Sequence, residues 1–230
     1  MIVSGYHPYP GSEWFAKVWW KQLCKTTTRR AVILSAYPSP VETTSLEWIL
    51  LRGDLGNCGQ LLRREKPHYL PECPAVWLAG MWLAYLAEQD FIYLEQDALA
   101  FGGWIEALYS EIGHRQALFG KSAIHGTATS LFIIRHAFIP QFCREYLFEG
   151  PEDHRNRIPE LKVNRIIQRN PDDMGYYSFG HDTSRPIDTT QPAFFAQKFT
   201  PAELRELSQK ELLDLPDEEM PKVKLFSNRP

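Results

Sequence analysis

Four short apolar runs, residues 2–6 (IVSGY), 31–36 (AVILSA), 46–51 (LEWILL) and 91–94 (FIYL), alternate with segments of helical periodicity. That alternation constrains the fold more than any other feature. Runs of this length, closed by turn-forming or polar residues, read as strands, and AVILSA, continuous and ended by Pro38 and Pro40, suits one buried on both faces. From Ser12 onward Phe15, Val18, Trp19 and Leu23 recur at helical spacing. Pro74 opens a second helix over residues 76–87, since proline is tolerated in a first turn. Its apolar positions run nearly all round, the mark of a deeply packed helix. Strand alternating with helix implies the α/β class, a mainly parallel central sheet flanked by helices on both faces. The ligand crevice of such a sheet lies beyond the carboxyl ends of its strands. Three polar clusters fall there: Ser4-Gly5-Tyr6, Asp54 to Gly59, and Glu95 to Asp97.

The second half continues the pattern with helices expected over residues 104–112, 141–148 and 159–168 and strands over 131–134 and 176–179. Thr200-Pro201-Ala202-Glu203 supplies an N-cap, a proline at the first helical position and the glutamate of a capping box, so a helix runs from there to about Lys210. Residues 214–230 contain three prolines and many charges and read as a tail that drapes over the surface or stays disordered. The expected organisation is a single domain over residues 1–207 with a C-terminal tail over 208–230.

Several function classes drop out on charge and patterning. The 25 basic and 28 acidic side chains leave a net charge of −3, and no run of like charge provides a nucleic-acid footprint. No stretch approaches the roughly 18 consecutive apolar residues of a membrane span. The first residues lack the basic and apolar regions of a signal peptide. Cys24, Cys58, Cys73 and Cys143 form no CxxC pair, which fits reduced thiols in a cytoplasmic protein.

The chemistry concentrates at Glu95-Gln96-Asp97, directly after an apolar strand. Alternation along an extended chain places residues 95 and 97 on one side, and two neighbouring carboxylates repel unless a cation lies between them. A hard divalent ion with oxygen ligands resolves this, and Mg2+ or Mn2+ commonly shares such a site with phosphates. The competing reading is a solvated strand end: the same three letters occur at Glu88-Gln89-Asp90, at a helix end, with no role assigned.

A strand followed by an acid-x-Asp triplet resembles the nucleotide-diphospho-sugar transferases, the glycosyltransferases of the GT-A fold. FIYLEQDALAFGGW is similar to their metal motif in an E-x-D variant, and IVSGY to their first, nucleotide-facing strand. GNCGQL resembles the N-x-G loop that precedes the helix before the metal strand, and TSLFIIRHAFI the strand on the acceptor side. FGHDTSRPI and FFAQKFTPAEL resemble a C-terminal segment of small bacterial and viral members. The resemblance spans residues 1–207 and rests on the order of the segments.

That resemblance implies a Rossmann-related sheet and transfer of a sugar from a UDP- or GDP-sugar donor to a glycan or other hydroxyl acceptor. It makes Asp97 a metal ligand and Glu95 a contact to ribose or to metal-bound water. Ser4, Gly5 and Tyr6 would line the base pocket, with core packing as the equal alternative for Tyr6. Asp54 and Asn57 would bind base or ribose, although Asn57-Cys58-Gly59 also reads as a plain turn. His181, flanked by Gly180, would be a third ligand to Mn2+ or Mg2+, with Asp182 able to share the duty or act as base. Arg185 would pair with the diphosphate through its planar fork, or form a surface ion pair instead. Glu160, in IPELKVNRII, is the first choice for the base that takes the acceptor proton, with Asp153 and Asp182 behind it. An acid that merely suits a first helical turn is the alternative for Glu160. The tryptophans in helical stretches read as core.

Two other functions share part of this pattern. A nucleotidyltransferase would need a glycine-rich N-terminal loop with a basic residue for triphosphate, and Ser4-Gly5-Tyr6-His7-Pro8 has neither Lys nor Arg. A non-catalytic nucleotide- or glycan-binding domain of a larger assembly stays open, because fold analogy does not decide catalysis.

Overall fold

The computed structural model describes residues 1–8, 11–42, 46–50, 72–122, 126–149, 159–180 and 185–221, with side chains from residue 76 in the segment that begins at 72. The chain opens with β1 (Ile2–Tyr6), α1 (Ser12–Thr26), β2 (Ala31–Ser35) and β3 (Glu47–Leu50). There follow α2 (Glu72–Leu86), β4 (Phe91–Leu94), β5 (Ala98–Gly102), α3 (Trp104–Ile112), β6 (Ala117–Ser122) and β7 (Gly126–Ile134). The last elements are α4 (Ile139–Phe148), α5 (Pro159–Arg169), β8 (Met174–Tyr176), β9 (Ala193–Gln197) and α6 (Pro201–Gln209).

Seven strands form the central sheet in the order β3-β2-β1-β4-β7-β6-β8. Four of its six pairings are parallel, and only β7 runs against its neighbours. The mainly parallel sheet expected from the sequence is therefore present, with one reversed strand. Alternation along the strands divides the core cleanly. Ile2, Ile33, Ile92 and Leu94 face a cluster built with α1, α3, α6 and a small second sheet of β5 and β9. Val3, Val32, Phe91 and Tyr93 face another built with α2, α4 and α5. A period of two along each strand is what sends neighbours to opposite faces.

Local chemistry explains most element bounds. α2 begins two residues before Pro74, which leaves the proline within the first turn, where backbone N–H groups lack an intrahelical acceptor in any case. Gly80 lets this helix lie against the sheet, because a Cβ there would come within 2.7 Å of Val3 Cγ1. The capping box of α6 forms as expected: Glu203 N–H donates to Thr200 Oγ1 at 3.2 Å, and Thr200 N–H donates to Glu203 Oε2 at 2.7 Å. The tail, as far as residue 221, lies along α1. Lys25 Nζ donates to the Glu211 carbonyl at 3.0 Å, Trp14 Nε1 to the Glu218 carbonyl at 3.3 Å, and Leu213 is buried. Among the described residues no helix is long and apolar enough to cross a membrane.

Three strands went unanticipated. β5, β6 and β9 contain Ala, Gly, Lys or Gln among their few large side chains, and β5 and β9 pair across almost one hundred positions, Ala98 with Gln197. β8 lies slightly earlier than the expected 176–179: Tyr177 N–H still donates to the Phe119 carbonyl of β6 at 3.0 Å, but the pairing ends there, and Tyr177 and Phe179 stack on each other in the core at 4.8 Å.

Candidate functional site

The strand order 3-2-1-4 means that the chain leaves β1 to one side, through β2 and β3, and then returns to its other side as β4. A crevice opens at such a switch point, beyond the carboxyl ends of the strands. Here β4 pairs with β1 only at Ile2 and Val3, so Ser4, Gly5 and Tyr6 continue past the last rung. The triplet Glu95-Gln96-Asp97 stands on the opposite lip.

The triplet is not extended. Ala98 N–H donates to the Glu95 carbonyl at 3.0 Å, closing a β-turn, so strand alternation does not govern where its side chains lie. Glu95 N–H donates to the Ser130 carbonyl on β7 at 2.8 Å, and Lys198 N–H donates to the Asp97 carbonyl at 3.4 Å. The turn is thus tied to the large sheet on one side and to the end of β9 on the other. Both carboxylates are half-buried, and Asp97 Oδ1 is shut off from solvent. Gln96, given no role by the sequence, reaches across the crevice. Its Oε1 accepts from His7 N–H at 2.7 Å, and its Nε2 donates to the His7 carbonyl at 3.3 Å.

Beside this bridge lies a narrow cleft, open to solvent and lined by Ser4, Gly5, Tyr6, Trp19, Trp20, Trp48 and Gln96, among others. Tyr6 and Trp48 meet edge to face at 5.3 Å, and Trp48 Nε1 is held by the Tyr37 carbonyl at 2.8 Å. The Tyr6 hydroxyl pairs with Ser12 Oγ at 3.2 Å. Burial, opposed by that hydrogen bond and aided by the charge of Glu13, pushes the phenol above its usual pKa, so it stays neutral. Ser4 is buried and donates weakly to the Gly5 carbonyl at 3.3 Å. Gly5 also makes room for α2, since a Cβ there would meet Val76 Cγ2 at 3.2 Å.

Glu160 sits in the first turn of α5, which lies against β7, and accepts from Thr129 Oγ1 at 3.4 Å. Thr129 is the chain neighbour of Ser130, so β7 brings Glu160 toward the same rim as the turn. Arg185 forms an ion pair with Glu203 and donates to the carbonyls of Gln197 at 2.9 Å and Lys198 at 3.3 Å. The ion-pair alternative for this residue is the one the structure forms. Asp54, Asn57, Asp153, His181 and Asp182 lie outside the described residues.

Among the described residues no three His, Cys, Asp or Glu side chains converge. In the chemistry of their donors Glu95 and Asp97 fit a hard divalent ion: they place two half-buried carboxylates on one turn, and such an ion usually takes the rest of its shell from water and phosphate. The residues that sequence reasoning passed over are Gln96 and the tryptophans of the lining. Trp19 and Trp20 carried a helical signal shared with the core, and Trp48, the second residue of β3, carried no signal that set it apart from any strand residue.

No protein-family model matches the sequence, and no curated protein matches it. Solved structures do resemble the fold. An active-site mutant of LgtC superimposes with a TM-score of 0.56 at 12% identity, over 94% of this chain and 97% of the other. The galactosyltransferase LgtC in complex with donor and acceptor sugar analogues gives 0.51 at 11% identity, over 94% and 97%. A glycosyltransferase involved in the glycosylation of the major capsid of PBCV-1 gives 0.50 at 12% identity, over 91% and 98%. Identities this low speak for architecture and leave activity to be argued from the site. In architecture the chain is a GT-A fold, from its first strand to its sixth helix.

Proposed function

We propose that this protein is a metal-dependent glycosyltransferase that moves a sugar from a nucleoside-diphosphate donor to a hydroxyl of a glycan or similar acceptor. One observation carries the reading: a turn that carries two carboxylates borders, through Gln96, an aromatic-lined cleft at the switch point of a GT-A sheet. The cavity offers flat aromatic faces at a site open to solvent, the chemistry that suits a nucleobase and ribose. Glu95 and Asp97 would hold Mn2+ or Mg2+, which supplies charge neutralisation for the departing diphosphate.

The chain's own residues account for the remaining tasks. Tyr6 and Trp48 hold the nucleoside, and Gln96 keeps the carboxylate turn against β1. In an inverting reaction the acceptor oxygen bonds to the anomeric carbon as the bond from that carbon to the diphosphate oxygen breaks, and Glu160 takes the acceptor proton. Thr129 fixes the direction of that carboxylate.

The test is calorimetry with UDP and GDP, with and without Mn2+, on the wild type and Asp97→Asn. The wild type binds one of the two in a Mn2+-dependent manner, and the variant loses that dependence while its melting temperature is kept. Normal Mn2+-dependent binding by Asp97→Asn refutes the metal assignment. Binding of glycan with no nucleotide affinity would identify a non-catalytic module.

A further inference from the structure

We infer that Gln96 is a positioning residue, whose side-chain amide acts as a substitute strand rung that locks the carboxylate turn to the end of β1. The inference rests on the reading above, and it assigns work to the middle residue of the triplet.

The geometry follows from where pairing stops. β1 has β2 along its whole length, with pairs from Ile2 to Tyr6, whereas β4 accompanies it for two residues only. Past Val3, no strand among the described residues pairs with the β4 side of β1. A primary amide carries one carbonyl and one NH2 in the same plane, so it presents the donor and acceptor of a peptide group. Gln96 uses both on one residue, accepting from His7 N–H at 2.7 Å and donating to the His7 carbonyl at 3.3 Å. That double exchange is the pattern of a hydrogen-bonded antiparallel pair, made here by a side chain.

Three backbone hydrogen bonds of the turn run elsewhere: to its own Ala98, to Ser130 on β7 and to Lys198 beyond β9. The Gln96 amide instead reaches His7, which follows directly on the strand that lines the aromatic cleft. It therefore bears on the distance between the nucleoside slot and the two carboxylates. Rotation of the turn would break both bonds together. Groups that orient metal ligands in this indirect way typically govern metal affinity by roughly 10- to 100-fold.

The experiment compares wild type, Gln96→Met, which keeps the length and apolar contact but loses both bonds, and Gln96→Glu, which keeps the acceptor for His7 N–H. Amide exchange at His7 is read first. It speeds up by about tenfold in Gln96→Met, as expected for one lost hydrogen bond, and stays near wild type in Gln96→Glu. Calorimetry then compares uridine and guanosine with UDP and GDP in Mn2+. Gln96→Met weakens diphosphate binding by roughly 10- to 100-fold and nucleoside binding several-fold less than that. Unchanged exchange at His7 overturns the clamp. Equal weakening of nucleoside and diphosphate reduces Gln96 to a structural prop and overturns its positioning role, as does undiminished diphosphate binding. A wild type without Mn2+-dependent diphosphate affinity defeats the functional reading and the positioning role with it, and the His7 exchange then decides separately whether the tie exists.

Discussion

Trp77 and Trp48 pack on opposite faces of one sheet and keep different company. Trp77 is enclosed by Tyr93, Phe132 and Tyr146, with ring centroids at 5.7, 5.2 and 6.1 Å, on the face covered by α2, α4 and α5. Trp48, half-buried, touches Tyr6 at the mouth of the cavity on the face covered by α1. The first face is closed by ring against ring. The second ends in an aromatic slot, to which the proposed function assigns recognition. A residue type therefore says little about role until its face and its height on the strand are known.

The sharpest way to break this contrast is to truncate each tryptophan. Trp77→Ala removes a fully enclosed side chain and should cost about 3–5 kcal/mol in urea unfolding. A loss under about 1 kcal/mol would mean that the closed face tolerates a void, and the contrast would fail. Trp48→Ala should leave unfolding nearly unchanged and weaken Mn2+-dependent nucleotide binding by about tenfold, or about 1.4 kcal/mol. The reverse pattern, a large stability loss with intact binding, would turn Trp48 into core.

The smallest effect concerns acid. Burial tends to raise the Glu203 carboxyl, but the Thr200 backbone N–H, the Arg185 guanidinium and the Thr200 hydroxyl outweigh it and hold the pKa below the ordinary value of 4.5. A depressed folded-state value means that the ionised form stabilises the fold. That contribution is complete above the ordinary value and is lost as pH falls through the lowered one. Melting curves should show wild type above Glu203→Gln at neutral pH, with the gap closing below about pH 4.5. A gap that persists in strong acid would show that packing around α6, rather than charge, sets it.

Much of the scaffold was legible in the sequence because periodicity reports local burial. The AVILSA run became β2, the helix after Ser12 became α1, and Thr200 with Glu203 formed their capping box. The position of the carboxylates at the tip of β4 was legible for the same reason, since an apolar run must end where its polar residues begin. Their conformation was not: the bond from Ala98 to Glu95 bends the triplet, and alternation gives no sign of it. Pairings such as Ala98 with Gln197, and the reach of Gln96 to His7, join residues far apart in the chain and leave no periodic trace.

The short turn between β4 and β5 is also a step from one sheet to another. Leu94 belongs to the seven-stranded sheet and Ala98 to the two-stranded one, with three residues between them. The acidic pair therefore sits on a seam held from both sides, by Ser130 of the large sheet and by Lys198 just past β9. The Arg185 guanidinium joins the carbonyls of Gln197 and Lys198 to Glu203 on α6, so the far side of the seam is pinned to a capped helix.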